Sequence, residues 1–357
     1  LPIDVNVASG GTASVTTVKL FTKGNWSIFA SDLTHTPAYG ADTSAFSVTW
    51  SPNTAQLQVI LPGETADPGS ASGKTTSAPS PQDAGLAFDI KVNAVDEYYN
   101  VIESGADAQI SFSFTNPDVY GTYPNPATWP GGTTLSQGAK TFTNGILIKT
   151  AGAAITKINA RDSDGQAPDL GNLDSVVLRV RPAAPQKLQI IVPGNEIARP
   201  GSATGKTGTP AAKQAVSTGF PITLNIVDSY WNIVSTANGG DITASADISV
   251  TSYDSLNNPT LLGTAPNIQG TGIYSAVIKV ANDNYALAAV DAGATGYTTY
   301  ITPDRIPITP GPAVNVILLM PGEVHAPGTI TGKATNLPSS QIAGVSFPVS
   351  VSTVDNY

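Results

Sequence analysis

The stretch Pro68-Gly69-Ser70-Ala71-Ser72-Gly73-Lys74-Thr75 ends in Gly-Lys-Thr, the signature with which nucleotide-binding loops hold phosphate. The spacing argues against that chemistry. A phosphate loop puts four residues between its first glycine and the Gly-Lys pair, so that successive backbone N–H groups wrap the anion. Gly69 and Gly73 enclose three, and the position that needs glycine is Pro68, which has no N–H to give. The chain then continues SAPSPQDAG, which is no amphipathic helix. The stretch recurs as PGSATGKT and PGTITGKA, placing its lysine at Lys74, Lys206 and Lys333. Solvated turn lysines are the expectation; the rival role is to bind an anion or a neighbour's carboxylate.

Other candidates divide in the same way. Asp96, Asp228 and Asp355 each close a β-like run before x-Tyr. An Asx turn bonding its own backbone is expected there, with metal ligation as the rival. Asp162-Ser-Asp164-Gly, with Asp169 and Asp174 downstream, offers hard oxygens to calcium, but lacks the third ligand and closing Glu of an EF-hand loop. Asp162 and Asp164 are the metal candidates; no metal or other cofactor is expected. Lys19, Lys149 and Lys279 raise the idea of a Lys–Asn crosslink, which needs a buried Lys, an Asn and a catalytic acid in contact; lysines pointing outward from half-buried strands are the expectation. Tyr98, Tyr99, Tyr230, Trp231 and Tyr357, with Trp26, Trp50 and Trp129, could stack on sugars or close the end of a sandwich. The two histidines, His35 and His325, have no acid or nucleophile at a telling spacing. No Ser/His/Asp or paired-carboxylate constellation recurs, so an enzyme is not expected.

Composition narrows the partners. The chain has 357 residues and no cysteine, which rules out disulfides and thiol chemistry. Charged residues make up 12 %, and the balance is acidic at −9 with no basic run, so nucleic acid is not an expected partner. No apolar run reaches the roughly 20 residues that cross a bilayer. The chain begins LPIDVNV without Met or a signal peptide, which reads as a processed or partial chain.

The elements behind these residues repeat. LQVILPGE…, LQIIVPGNE… and VILLMPGE… start front blocks at Leu57, Leu188 and Val316. Their lysines and aspartates both recur at intervals of 132 and 127 residues. VKLFTKGNW…, LIKTAGAAI… and VIKVANDNY… are back blocks aligned through Lys19, Lys149 and Lys279, 130 residues apart. The expected division is therefore a back half over 1–56, whole units over 57–187 and 188–315, and a front part over 316–357. Phe88, Ile90 and Val92 alternate with Asp89, Lys91 and Asn93, which is a half-buried strand, and no 3.6-residue apolar stripe competes. Several short strands per 130 residues predict an all-β chain of antiparallel β-sandwich domains.

The order AG-x-F, alternating strand, VD-x-Y-x-N, then TFTNGILIKTAGAAITKINARDSDG and SVVLRV, resembles the tandem immunoglobulin-like repeats of bacterial surface proteins, including surface-layer and invasin-type adhesin proteins. The resemblance spans essentially the whole chain and is specific for fold rather than function. The long proline-rich segment after the first strand departs from it. The resemblance implies an extracellular, cell-surface structural protein: a stalk, surface-layer component or filament whose main partner is copies of itself. The alternative is an adhesin or carbohydrate-binding module for surface glycans, using Trp129. The half-units read most simply as a window cut from a longer array. Alternatively, strand exchange between subunits is led by LPIDVNV, with Leu1, Ile3, Val5 and Val7 as the self-assembly residues.

Overall fold

The computed structural model describes residues 5–7, 11–34, 39–53, 55–75, 78–115, 118–124, 127–166, 169–172, 175, 177–214, 219–254, 258–335 and 337–357. Its architecture is all-β, with many small antiparallel sheets arranged as β-sandwiches. The only helical turn among these residues is a 3-10 turn over Thr236–Asn238. Among the described residues no helix is long and apolar enough to cross a membrane.

Period-two alternation builds the first sandwich. The strand Phe88–Val95 lies between Gln56–Ile60 and Ala139–Ile146, antiparallel to both, with Leu57 opposite Ala94 and Val59 opposite Val92. The facing layer pairs Ile110–Phe114 with Ile158–Asp162, and Gly152–Thr156 with Leu178–Arg181. Leu57, Ile90, Val92, Ile110, Phe142, Ile158 and Leu178 all fall within 1 % of full burial in one cluster. Fully burying each such aliphatic or aromatic side chain contributes about 1.5–3 kcal/mol, and this drives the collapse.

The second sandwich repeats the plan with longer strands. Phe220–Val227 lies between Lys187–Ile191 and Thr271–Ala276. Ser245–Tyr253 lies between Pro259–Gln269 and Asn282–Asp291, and Ile306–Thr309 extends the latter. Leu188, Ile190, Ile222, Leu224, Ile248, Leu287 and Ile306 form its core, separate from the first.

Among their described residues the end blocks carry hairpins but no facing layer. Asn315–Leu319 pairs with Ser350–Val354 in the register of the first two units, Leu318 opposite Val351. Its core-facing positions lie open: Val351 is 64 % exposed where its counterpart Val92 is 0 %. In the first block, Gly24–Trp26 pairs with Phe46–Val48, and Phe29–Ser31 with Gly40–Asp42.

Candidate functional site

The richest polar geometry lies where one unit meets the next, and it is built from the Asp-x-Tyr-[Tyr/Trp]-Asn loop. Asp96 is fully buried after the strand Phe88–Val95. Its Oδ1 accepts the N–H of Tyr98 and of Asn100, both at 2.9 Å. Asp228 does the same with Tyr230 at 2.8 Å and Asn232 at 2.9 Å, and Asp355 with Tyr357 at 2.9 Å. This is the expected Asx turn. The turn forces Tyr99 and Trp231 to φ of 65° and 68°, a left-handed conformation that is uncommon for bulky residues.

The second oxygen of each aspartate reaches outside its own loop. Oδ2 accepts the N–H of Ser51 at 2.7 Å for Asp96, of Ala183 at 3.0 Å for Asp228, and of Gly311 at 2.8 Å for Asp355. All three donors sit in the segment that enters the unit, so the carboxylate pins the incoming connector.

The asparagine joins the units directly. Asn232 Nδ2 donates to the carbonyl of Lys149 at 2.8 Å, and its Oδ1 accepts the N–H of Ala151 at 2.7 Å. Asn100 repeats this with the carbonyl of Phe21 and the N–H of Lys23, both at 2.8 Å. A primary amide presents a donor beside an acceptor, so it pairs with residues i and i+2 of a chain as a neighbouring strand does. The second Nδ2 proton goes to Asp96 or Asp228, which fixes the amide orientation and leaves no valence idle.

The glycine-rich turn completes the joint. The N–H groups of Gly69, Gly201 and Gly328 donate to the carbonyls of Tyr98, Tyr230 and Tyr357 at 2.8, 2.7 and 3.0 Å. A Cβ on Gly69 or Gly201 would stand 2.4 Å from the hydroxyl of Thr22 or Thr150 in the preceding unit, and one on Gly328 would stand 2.7 Å from Val280. A Cβ on Gly73 or Gly205 would strike the ring of Tyr99 or Trp231. The turn's glycines therefore serve close approach, to a neighbouring unit and to an aromatic ring, and the motif holds no phosphate-loop geometry.

The expectation of solvated turn lysines is corrected. Lys74 pairs with Glu64 at 2.7 Å and Lys333 with Glu323 at 2.8 Å, while Lys206 pairs with Glu196 and lies 2.9 Å from Asp304. Glu64 and Glu196 are almost wholly buried, and each glutamate also accepts a backbone N–H where the first strand ends, from Leu61, Val192 or Met320 at 2.8 Å. A carboxylate buried there needs a cation, and the turn lysine ten residues on supplies it. Burial works to lower the Lys206 pKa, but the hydrogen bonds that it donates to Glu196 and Asp304 outweigh it, so the ammonium is held above its usual range.

Charged contacts supplement the joints. Arg179 donates from Nε and Nη2 to the Gly239 carbonyl at 3.0 and 2.6 Å and pairs with Asp241 at 2.9 Å. Arg181 bridges Asp83 and Asp241. The Arg181 guanidinium, with Arg179, holds the Asp241 carboxyl below its usual range. At the earlier joint Lys23 reaches the Val101 carbonyl at 3.0 Å and Glu103 at 2.6 Å.

The remaining candidates fall elsewhere. Asp162 accepts the N–H of Leu170 at 3.2 Å, and Asp164 those of Gln109 and Gln166 at 2.8 Å, so both act as loop staples. The two backbone donors lower the Asp164 pKa. Among the described residues no group of three or more His, Cys, Asp or Glu could hold a metal. Trp129 is half-buried against the first core, 6.0 Å from the Phe142 ring centroid. Lys149 and Lys279 lie over the rings of Tyr230 and Tyr357 in the following unit, at 5.9 and 5.5 Å, and Lys19 is exposed. Val5 and Val7 are exposed, whereas Leu1, Ile3, His35 and Asp174 lie outside the described residues.

No family model matches the chain, and no curated protein matches it. Among solved structures it is similar to domains 1–6 of the surface layer protein SbsC, at 10 % identity and a TM-score of 0.18, over 83 % of this chain and 37 % of that one. It is also similar to the apo structure of Bacteroides uniformis beta-glucuronidase 3, at 11 % identity and a TM-score of 0.17, over 70 % and 25 %. The chain thus spans about a quarter to two fifths of the length of these neighbours. At such scores neither likeness carries a functional argument.

Proposed function

We propose that this chain is an extracellular structural protein whose β-sandwich units form a semi-rigid stalk, surface-layer component or filament. The observation that carries the reading is the repetition of one joint. The same aspartate pins the connector, the same asparagine bonds the preceding unit, and the same turn glycine touches it, at successive junctions. Polar contact repeated at each junction serves to hold orientation, which is what a spacer or fibre requires. The low charge content, 12 %, supports it further, because fewer ions must lose water when units pack.

Small-angle scattering of the protein tests the reading. A maximum dimension matching a fixed end-to-end row of units is expected. A flexible-chain profile with freely rotating sandwiches refutes it. A glycan-binding role through Trp129 is the second functional reading and is tested by the variant described below.

A further inference from the structure

The second unit contains a cluster not found among the described residues of the first. All three turns hold a Glu–Lys pair, but among the described residues only Lys206 meets a second carboxylate, Asp304 Oδ2 at 2.9 Å. Where the second unit reads Pro303-Asp304-Arg305-Ile306, the matching stretch of the first reads Ser175-Val176-Val177-Leu178, with no acid. The side chains of Lys206 and Glu196 are 4 % and 0 % exposed. The hydroxyl of Tyr300 is buried beside them with no hydrogen-bond partner, close enough for its pKa, raised first by its own burial, to respond to Lys206, Glu196 and Asp304. One cation here serves two carboxylates, one more than pairing with the glutamate requires.

We propose that Lys206 and Asp304 condense into an intramolecular amide bond, with Glu196 as the catalytic proton carrier. The Lys206 ammonium gives one proton to Glu196, and the freed Nζ attacks Cγ of Asp304. A C–N bond forms and a C–O bond of the carboxylate breaks. Glu196 passes its proton to the departing oxygen, takes the second proton from the nitrogen and delivers that as well. One water leaves, one positive and one negative charge disappear, and Glu196 ends as it began. No oxidant, reductant or co-reactant is involved.

Proximity favours the step, although Asp304 is 38 % exposed. Holding amine and carboxyl in contact gives effective concentrations of about 10⁵–10⁸ M in well-oriented cases, which offsets the preference of dilute water for hydrolysis. The bond ties the turn covering the first strand to the residue that precedes the last strand, Ile306–Thr309. Tension on the chain would then cross the unit without unzipping the segment between.

Intact-mass spectrometry of the folded full chain tests this. The expected result is a mass lower than calculated by one water, and a digest containing a branched peptide that joins residues 206 and 304. Lys206→Arg keeps the charge but lacks the nucleophilic amine, so it restores the calculated mass. Lys74→Arg, at the two-member pair of the first unit, leaves the loss in place. A wild-type chain at its full calculated mass overturns the proposal, and so does a water loss that persists in Lys206→Arg.

Discussion

Replacing Asn232 by alanine isolates the central joint. The substitution removes the two bonds that cross the junction, to the Lys149 carbonyl and from the Ala151 N–H. At a net value of about 1 kcal/mol per neutral hydrogen bond, the closed joint loses about 2 kcal/mol. That is roughly a 30-fold shift toward open arrangements, each 1.4 kcal/mol being tenfold. The Arg179 and Arg181 contacts to Gly239 and Asp241 remain, so opening is partial. Because the chain has no cysteine, spin labels can be placed cleanly, at Lys91→Cys in the first unit and Ile273→Cys in the second, both exposed sites. Pulsed electron spin resonance should give one narrow distance distribution in the parent protein and a broad one in Asn232→Ala. Adding Asp241→Ala should broaden it further. A distribution in Asn232→Ala as narrow as the parent's, at the same distance, refutes the assignment of the asparagine as the element that fixes orientation.

Lys74→Met strands Glu64 in a buried position and should cost about 3–5 kcal/mol of stability in the first unit, while Glu64→Gln with Lys74→Met recovers most of it; urea unfolding measures both. Gly85→Ala should loosen the joint, since the residue has φ of +80° and its new Cβ would fall 1.7 Å from the Tyr230 ring of the next unit; the same spin-label pair reads the effect. Trp129→Ala should destabilise the first sandwich by roughly 3 kcal/mol through lost packing on Phe142. On a glycan array, saturable binding by the parent that is abolished in a folded Trp129→Ala chain would instead support the adhesin reading. Asp164, Asp241 and Asp291 all titrate below their usual range, so they bind protons less readily when folded than when unfolded. Their stabilisation is present above the unfolded value near pH 4 and is lost as pH falls through the lowered folded values; melting temperature should therefore drop below about pH 4 and stay flat just above it.

Strand alternation and the repeated blocks were readable because they are local or periodic signals. Phe88, Ile90 and Val92 mark their own strand, and the Asx turn at Asp96 needs only neighbours within four residues. The ion pairs left a fainter trace: Glu64 and Lys74, Glu196 and Lys206, and Glu323 and Lys333 each stand ten apart, a spacing that acquires meaning only once the segment folds back on itself. Asn100 and Asn232 were visible as part of a recurring motif, but their partners lie about eighty residues upstream and are backbone groups, which no side-chain pattern announces. The contact between Lys206 and Asp304 spans 98 positions and, among the described residues, occurs in one unit, so no recurrence could reveal it. Asp162 and Asp164 look like cation ligands in the sequence, yet each has its oxygens taken by nearby amide protons.

The joint is asymmetric. Aspartate, asparagine and glycine-rich turn belong to the front of one unit, whereas the groups that the aspartate and asparagine grip are main chain of the connector and of the back of the preceding unit. Polarity of this kind makes the row additive. Excising or duplicating one complete repeat leaves each surviving seam with both of its faces, so length can change in whole steps without retooling any contact. An insertion of a few residues inside a connector, by contrast, shifts the main-chain amide that the aspartate grips and spoils that seam alone.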